Sequence, residues 1–307
     1  AFTILFLFWT ITHLARKVVA KTEEEYTLAN VIGILGSGMV GALAYTFSDT
    51  FWFSAVEGEV YAYSSLFTAV VFWAILKWEN VADRPGSDRW LIFIGYLMGL
   101  SIGVHLLNLL AIPAIVLVYY FRNYTPSTKG VVLAMSTAVV ILGVVLYGII
   151  PGFVEVASWF ELFFVNTLGF SFNTGLFIYI LLTLAALAWG LHETYNEKNY
   201  VRMAISFIVA FTLVGIPFFG SHIVLGLIIV AGMTYFFFTK REKINARWLN
   251  TALAMITVIL IGYSTYTVIV IRSAANPPMD QNSPDNVFAL KYYLNREQYG
   301  DRPLFYG

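Results

Sequence analysis

The sequence predicts an all-α protein that crosses a membrane many times as a polytopic transmembrane helical bundle. Its 307 residues are 59% hydrophobic and only 12% charged, whereas a soluble globular chain has roughly 45–50% and about 25%. The apolar residues are also gathered into segments close to the ~20 residues that cross the hydrocarbon core of a bilayer. A single water-soluble core of this size does not bury so much apolar surface.

About ten apolar segments follow one another along the chain. They cover approximately residues 1–15, 28–47, 60–78, 90–105, 108–121, 131–150, 176–192, 203–219, 222–239 and 249–271. Polar residues and helix breakers interrupt the apolar run at residues 103–108 and again at residues 217–222. Because each interrupted run is too long for one crossing, we predict a tight helical hairpin at both places.

Residues 151–175 are too polar for a comfortable span, yet large apolar side chains such as Phe153 and Phe160 recur there at helical spacing. This pattern predicts an external amphipathic helix that lies on the membrane surface. Glu155 and Glu161 belong to the same segment. We interpret them as acids that accumulate outside because bases are retained inside, rather than as functional groups.

The basic residues divide into two groups along the predicted topology. Fourteen of the eighteen lie in connections on one side: Arg16, Lys17, Lys21, Lys77, Arg84, Arg89, Arg122, Lys129, Lys198, Arg202, Lys240, Arg241, Lys243 and Arg247. The other four, Arg272, Lys291, Arg296 and Arg302, lie in the C-terminal tail. The positive-inside rule therefore places the first group in the cytoplasm.

Composition also excludes several classes of protein. The chain has no Cys, which rules out a disulfide framework and a thiolate metal site. Its eighteen basic and eighteen acidic residues cancel, so it lacks the charge expected of a nucleic-acid-binding protein. No P-loop, Rossmann or HExxH motif is present, and nucleotide-driven transport has no support in this chain.

The most informative external loop covers residues 48–62, where carboxylates and aromatic residues are mixed. Asp49, Glu57 and Glu59 supply the acids, and Trp52 and Tyr61 are two of the aromatic residues. In an extended chain, carboxylates two residues apart project to the same side. Glu57 and Glu59 would then face one pocket and activate a hydroxyl or bind a cation, while the aromatic rings stack on a sugar ring or a lipid chain. The alternative is a loop with an interfacial aromatic anchor.

Three further polar residues lie at the predicted external surface. His105 and Asn108 occupy the tip of one hairpin, where they would bind a phosphate oxygen and a sugar hydroxyl or cap helix ends. Arg272 directly follows the last span. Its guanidinium suits a lipid phosphate, and the alternative is a side chain that snorkels to the interface.

Three stretches carry a resemblance to a known family. They are FSDTFWFSAVEGEVYA (residues 47–62), GLSIGVHLLNLL (99–110), and RSAANPPMDQNSPDN followed by YLNREQYGDRPL in the tail. Together they resemble a bacterial polytopic membrane family, formerly of unknown function, that is similar to transmembrane protein O-mannosyltransferases of the GT-C glycosyltransferase superfamily. The resemblance covers essentially the whole chain and implies a GT-C helical fold.

The resemblance also implies an activity and a location. It implies transfer of a sugar, mannose or a similar hexose, from a polyprenyl-phosphate donor to Ser or Thr hydroxyls of secreted or envelope proteins. The expected partners are the lipid-linked donor, these acceptor proteins and membrane lipids, without nucleic acid. The expected location is the bacterial inner membrane, with the active site facing the periplasm. No metal ligand is assigned, and dependence on a divalent metal stays open.

The family pattern and this sequence differ at the N-terminus. GT-C enzymes usually place a catalytic Asp or Glu in the first external loop, and relatives carry an acidic motif there that is followed by His-Pro-Pro-Gly. Neither occurs here. Since the topology places Ala1 at the external face, we expect residues 1–271 to form a GT-C-like core that lacks its first span and first external loop. Residues 272–307 are expected to begin an external C-terminal region.

These residues suggest an inverting transfer. A carboxylate, with Glu57, Glu59 and Asp49 as candidates, would deprotonate the acceptor hydroxyl. Arg272 and His105 would stabilise the leaving phosphate. The competing class is a secondary transporter or lipid flippase, which usually places ionisable residues at the bilayer midplane. Mid-span charges are nearly absent here, which favours an enzyme, and a non-catalytic assembly subunit is a third possibility.

Overall fold

A computed structural model describes residues 1–219 and 222–300. The chain is all-helical, with 81% of it in helices, and no strand occurs within the described ranges. It divides into two compact units. The first unit consists of residues 1–139 and 258–263, and the second unit of residues 140–257 and 264–307.

The first unit is built around one central helix. Its helices are α1 (Phe2–Val19), α2 (Leu28–Thr46), α3 (Asp49–Val56), α4 (Val60–Val81), α5 (Asp88–Ile102), α6 (Ile112–Asn123) and α7 (Thr128–Gly143), with short 3-10 helices at Glu23–Glu25 and Leu106–Ala111. Helix α4 contacts α1, α5 and α6, and its Val71, Ala74 and Ile75 are fully buried. This helix therefore forms the core of the unit.

The second unit continues directly from α7. It contains π-helical turns at Val144–Ile149 and Phe163–Thr167, and the helices α8 (Ile150–Leu162), α9 (Thr174–Asn196), α10 (Tyr200–Leu213), α11 (Ile223–Thr239), α12 (Ala246–Tyr263), α13 (Thr267–Ala274) and α14 (Val287–Asn295). Short 3-10 helices lie at Arg241–Lys243, Ser264–Tyr266 and Glu297–Tyr299. Its core contains residues from α8, α9 and α14.

The prediction of a multi-pass membrane protein is confirmed in its coarse form. Seven helical segments of the described chain are long and apolar enough to cross a bilayer: 2–19, 28–46, 60–81, 106–123, 128–167, 174–196 and 246–274. The predicted spans at α5, α10 and α11 form helices of 15, 14 and 17 residues. The structure therefore supports seven candidate spans, and ten spans and the GT-C type stay predictions.

Helix ends that carry the predicted cytoplasmic bases meet within each unit. In the first unit, Lys17 at the end of α1 pairs with Glu79 of α4, and Arg122 of α6 pairs with Asp83. In the second unit, Asn250 of α12 donates from Nδ2 to Thr194 Oγ1 of α9 over 2.9 Å. These contacts agree with the prediction that the basic connections of each unit lie at one end of its helices. The compartment that this end faces stays a prediction.

The expected surface helix at residues 151–175 is helical but not superficial. Helix α8 buries Val154, Glu155, Val156, Ala157 and Ser158, which are consecutive and so point in all directions around the axis. The prediction of an external amphipathic helix on the bundle surface was therefore wrong. The physical reason is that α14, from the C-terminal tail, packs against α8 and covers the face of α8 that we predicted to be exposed.

Two glycines allow α8 to approach the break after α10. A Cβ on Gly152 would collide with the backbone of Gly215, which has a φ of +89° that favours glycine. The chain therefore stops being α-helical after Leu213 and resumes at Ile223. The predicted break between these two helices is confirmed, while its residues Gly220 and Ser221 lie outside the described residues.

Candidate functional site

The candidate site lies in the first unit, where α4 begins and the hairpin after α5 turns. The rings of Tyr61, in the first turn of α4, and His105, just before the 3-10 helix, have centroids 5.5 Å apart. These residues come from the two predicted motifs that are separate in sequence. The fold thus brings the loop at 48–62 and the hairpin tip together.

The backbone that carries the candidate carboxylates has a different conformation from the predicted one. Residues 49–56 form helix α3, Glu57 is still helical with φ −67° and ψ −16°, and Glu59 is extended before α4. Gly58 has a φ of +73° and makes the turn between them. The expectation of an extended chain through Glu57 and Glu59 was therefore wrong, and alternation along a strand does not place them on one side.

All three candidate carboxylates are available to solvent. Asp49, Glu57 and Glu59 are exposed, and the described residues provide no hydrogen bond or ion pair to their side chains. Carboxylates without a structural partner are free to accept a proton or a hydrogen bond from a ligand. Their catalytic role stays a prediction.

His105 both caps a helix and keeps one ring nitrogen free. Its Nδ1 accepts a hydrogen bond from the backbone N–H of Leu107 over 3.1 Å. An accepting Nδ1 in a neutral imidazole places the proton on Nε2. The capping alternative is thus correct, and it also orients an Nε2–H donor at the half-exposed tip.

Asn108 lies in the interior of the first unit. It is 0% exposed, and its Nδ2 donates to Ser101 Oγ over 3.0 Å. Its Oδ1 has no hydrogen-bond partner among the described residues. This placement favours the structural alternative for Asn108, since a fully buried amide does not contact a sugar at the surface.

The aromatic residues of helix α3 divide between the core and the surface. Phe51 is buried and packs on Tyr45 with ring centroids 4.4 Å apart. Trp52 is 53% exposed and stacks on Phe47 at 6.2 Å with an interplanar angle of 17°. Trp52 is therefore held on one face and open on the other, which suits stacking on a sugar or insertion at the membrane interface.

Arg272 belongs to the second unit, in the last turn of α13. Its side chain is exposed, whereas the neighbouring Ser273 is buried and donates from Oγ to Asp280 over 2.8 Å. Arg272 is thus presented at a helix end that is anchored by its neighbour. The expectation that it shares a phosphate with His105 stays a prediction.

Two buried acids of α8 make structural contacts that the sequence interpretation missed. Glu155 is 4% exposed and pairs with Lys291 of α14, with Nζ 2.8 Å from Oε2. Glu161 is 1% exposed and accepts backbone N–H bonds from Asn173 and, over 2.9 Å, from Leu176. The available signal was Lys291 itself, a tail base that the predicted topology places on the same side of the membrane as these acids.

Glu161 stabilises the beginning of α9. The first N–H groups of a helix have no partner within the helix, and the positive end of its dipole favours a carboxylate. Glu161 supplies both a hydrogen-bond acceptor for these N–H groups and a carboxylate at the positive end of the helix. Glu155 and Glu161 are therefore buried and bonded rather than unpaired at an external surface, and the contacts that they make are structural.

Comparison with known proteins supports the resemblance for the N-terminal part of the chain. Residues 1–128 match the model of the family described as protein O-mannosyl-transferase TMEM260 N-terminal domain. The similarity to O-mannosyltransferases is thus confirmed over the part that contains Tyr61, His105 and the three carboxylates, and it supports a protein glycosyltransferase. No match was found among curated proteins or solved structures.

Proposed function

We propose that the chain is a membrane glycosyltransferase that moves mannose, or a similar hexose, from a polyprenyl-phosphate donor to Ser or Thr hydroxyls of external proteins. The observation that carries this proposal is the contact between Tyr61 and His105, within the segment that matches the O-mannosyltransferase family. It joins an aromatic ring and an oriented N–H donor, and Glu57 and Glu59, just before Tyr61 in the sequence, have no side-chain partner among the described residues.

In the proposed reaction, the acceptor oxygen attacks the anomeric carbon as the bond from that carbon to the phosphate oxygen breaks. Glu57 or Glu59 takes the proton of the acceptor hydroxyl as general base, and Asp49 is the third candidate. The attack comes from the face opposite to the phosphate, so the configuration of the sugar inverts. The sugar ring stacks on Tyr61 or Trp52, both of which expose an aromatic face.

The leaving polyprenyl phosphate gains negative charge as this bond breaks. His105 is placed to donate from Nε2 because its Nδ1 is occupied by the backbone. Arg272 would add a charged, bidentate donor. A lipid-linked donor also fits a chain of many apolar helices, since its prenyl tail remains in the bilayer while its phosphate stays at the surface.

Substitutions of His105 separate its two tasks. Asn is among the best helix-capping residues, so H105N keeps the bond to Leu107 N–H but removes the Nε2 donor. We expect H105N to retain stability and to lose transfer by about 100-fold or more, as for loss of one donor to a developing oxyanion. H105A should lose both the cap and the activity.

Transfer is measured with purified protein in proteoliposomes, radiolabelled polyprenyl-phosphate mannose and an acceptor protein. The double variant Glu57→Gln and Glu59→Gln should lower kcat by about 100-fold. The matched control is E24Q, an exposed acid at the basic end of the first unit, and it should transfer at the wild-type rate. Unchanged transfer by both the double variant and H105N would refute the assigned residues.

The same preparation tests the competing class. A secondary transporter or flippase moves a solute or lipid across the proteoliposome membrane without labelling the acceptor. Absence of transfer by the wild-type protein, together with solute uptake, would overturn the enzyme proposal.

A further inference from the structure

A cavity lies in the first unit, at the end of the helices opposite to Tyr61 and His105. Its volume is about 310 Å³, and it is lined by α1, α2 and α4. Sixteen residues of α4 separate Tyr61 from Lys77 in its wall, which corresponds to ~24 Å along the helix axis. The cavity is therefore distinct from the proposed transfer site.

The wall of this cavity combines cations with aromatic and apolar side chains. Arg16 and Lys77 supply permanent positive charges, and Trp9 and Trp73 supply rings. The ammonium of Lys77 lies 5.4 Å from the centroid of the Trp73 ring, and Trp73 also packs against Trp9 at 5.9 Å. A ligand that fits this wall is negatively charged at one end and apolar at the other.

The residues around the cavity carry more positive than negative charge. Glu79 lies beside the cavity and pairs with Lys17 through Oε1, so one acid faces the three bases Arg16, Lys17 and Lys77 at this end of the unit. The described residues contain no carboxylate partner for Arg16 or Lys77. Two cations without a carboxylate partner beside a cavity form a place where an anion can bind. Cations whose only role is to keep a loop in the cytoplasm would not need a cavity.

His13 gives an independent indication of a missing partner. It lines the same cavity, and its Nε2 is buried without a hydrogen-bond partner among the described residues. Glu79 Oε2 lies 3.9 Å away, which is too far for a hydrogen bond, and it too has no hydrogen-bond partner among the described residues. Buried polar atoms normally have partners, and a phosphate oxygen in the cavity would provide one.

The surrounding helices are open to lipid. Only Thr3 and Thr10 are buried along α1, and α2 exposes large apolar residues such as Ile32 and Leu35. The cavity also lies at the basic end of the unit, which the positive-inside rule assigns to the cytoplasmic leaflet. Basic pockets between transmembrane helices on that side suit anionic lipid headgroups.

We propose that this cavity binds the phosphate headgroup of an anionic phospholipid of the cytoplasmic leaflet. Arg16 and Lys77 bind the phosphate, His13 Nε2 bonds to one of its oxygens, and Trp9 and Trp73 contact the glycerol and the first acyl carbons. The site holds an annular lipid between α1, α2 and α4 and has no part in sugar transfer.

The test uses the full chain in nanodiscs of phosphatidylcholine into which brominated phosphatidylglycerol is titrated. Bromine quenches nearby tryptophan fluorescence, so binding near Trp9 and Trp73 gives saturable quenching. Brominated phosphatidylcholine at the same mole fraction should quench less and without saturation. Trp9→Phe with Trp73→Phe should remove most of the saturable part.

Charge variants decide whether the cavity is the site. With Arg16→Gln and Lys77→Gln together, half-saturation should need at least about tenfold more phosphatidylglycerol, since each base near a membrane surface contributes about a factor of five to lipid affinity. The matched control is Arg84→Gln with Lys129→Gln, which removes two exposed bases of the same unit that do not line the cavity. It should change half-saturation by less than twofold.

Three results would overturn the proposal. Equal shifts in the two double variants would show general electrostatic attraction, and equal quenching by the two brominated lipids would show no headgroup site. Competition by millimolar inorganic phosphate in the wild-type protein would show that the cavity binds free phosphate rather than a lipid. Gel filtration of each variant confirms that it is folded before titration.

Discussion

Substitution of Lys291 by Met should loosen the tail helix α14 from α8. The ammonium of Lys291 lies 2.8 Å from Glu155 Oε2, and Glu155 is 4% exposed. At this distance the attraction is about 6 kcal/mol for an effective dielectric constant of ~20. Desolvation of both charges offsets part of it, and removal of one partner from a buried pair typically costs about 3–5 kcal/mol.

We expect the lower end of this range, about 3 kcal/mol. The side chain of Lys291 is 25% exposed, so water screens the pair, and Glu155 keeps a further interaction in the variant. A loss of this size raises the population of the state in which α14 is detached from α8 by about 100-fold. Amide hydrogen exchange in residues 287–295, measured by mass spectrometry, should accelerate by the same factor.

The matched control is K198M, which removes an exposed lysine of the second unit that has no ion pair among the described residues. It should leave exchange in α14 unchanged. Adding Glu155→Gln to K291M should recover part of the loss, because the buried site is then neutral. Wild-type exchange in K291M would show that the pair does not hold α14, and the reasoning from burial would fail.

Four further substitutions test packing and hydrogen bonding in the second unit by thermal unfolding in detergent. G152A should destabilise the protein by about 1–3 kcal/mol, because the added Cβ would meet the backbone of Gly215. G232A, whose added Cβ would lie in open space, should stabilise the protein slightly. A change of the same sign in both variants would contradict this explanation. Y179F removes the hydroxyl that donates to the Leu213 carbonyl over 2.6 Å and should cost about 1–3 kcal/mol, so an unchanged melting temperature would mean that water replaces it. E161Q can accept only one of the two backbone N–H bonds and should cost about 1–3 kcal/mol, and wild-type stability would refute its capping role.

The helical segments could be predicted because their physical cause is local. Apolar runs of span length and the charges between them are visible in any window of the sequence, and the helices at 28–46, 60–81 and 174–196 follow them closely. The hairpin break before His105 was visible for the same reason, since glycine and polar residues interrupt the apolar run there. Such signals need no knowledge of distant contacts.

The environment of α8 could not be predicted in this way. The sequence showed Glu155 and Glu161 without bases in the neighbouring loops, but burial of Glu155 depends on Lys291, 136 residues further along the chain. Likewise, Asn108 is polar and lies at a hairpin tip, yet it faces Ser101 in the interior. The direction of a side chain at a helix break depends on the packing of both helices, which spacing alone does not determine.

The candidate site was predicted in part. The residues that meet, Tyr61 and His105, were chosen from their motifs, and the structure brings their rings together. The geometry of the carboxylates was not predicted, because helix α3 ends at Val56 and a left-handed glycine redirects the chain between Glu57 and Glu59. An alternating pattern of two residues is too short to distinguish a strand from a turn.

The pairing of Glu155 with Lys291 also imposes an order on biosynthesis. When Glu155 is added to the growing chain, its partner Lys291 is still 136 residues from being synthesised, which takes roughly 7–27 s at 5–20 residues per second. During that interval the core around α8 stays incomplete, because α14 has not yet been made. A nascent chain that stalls between residues 274 and 291 therefore exposes an unfinished second unit to membrane quality control, even though the seven candidate spans have already been made.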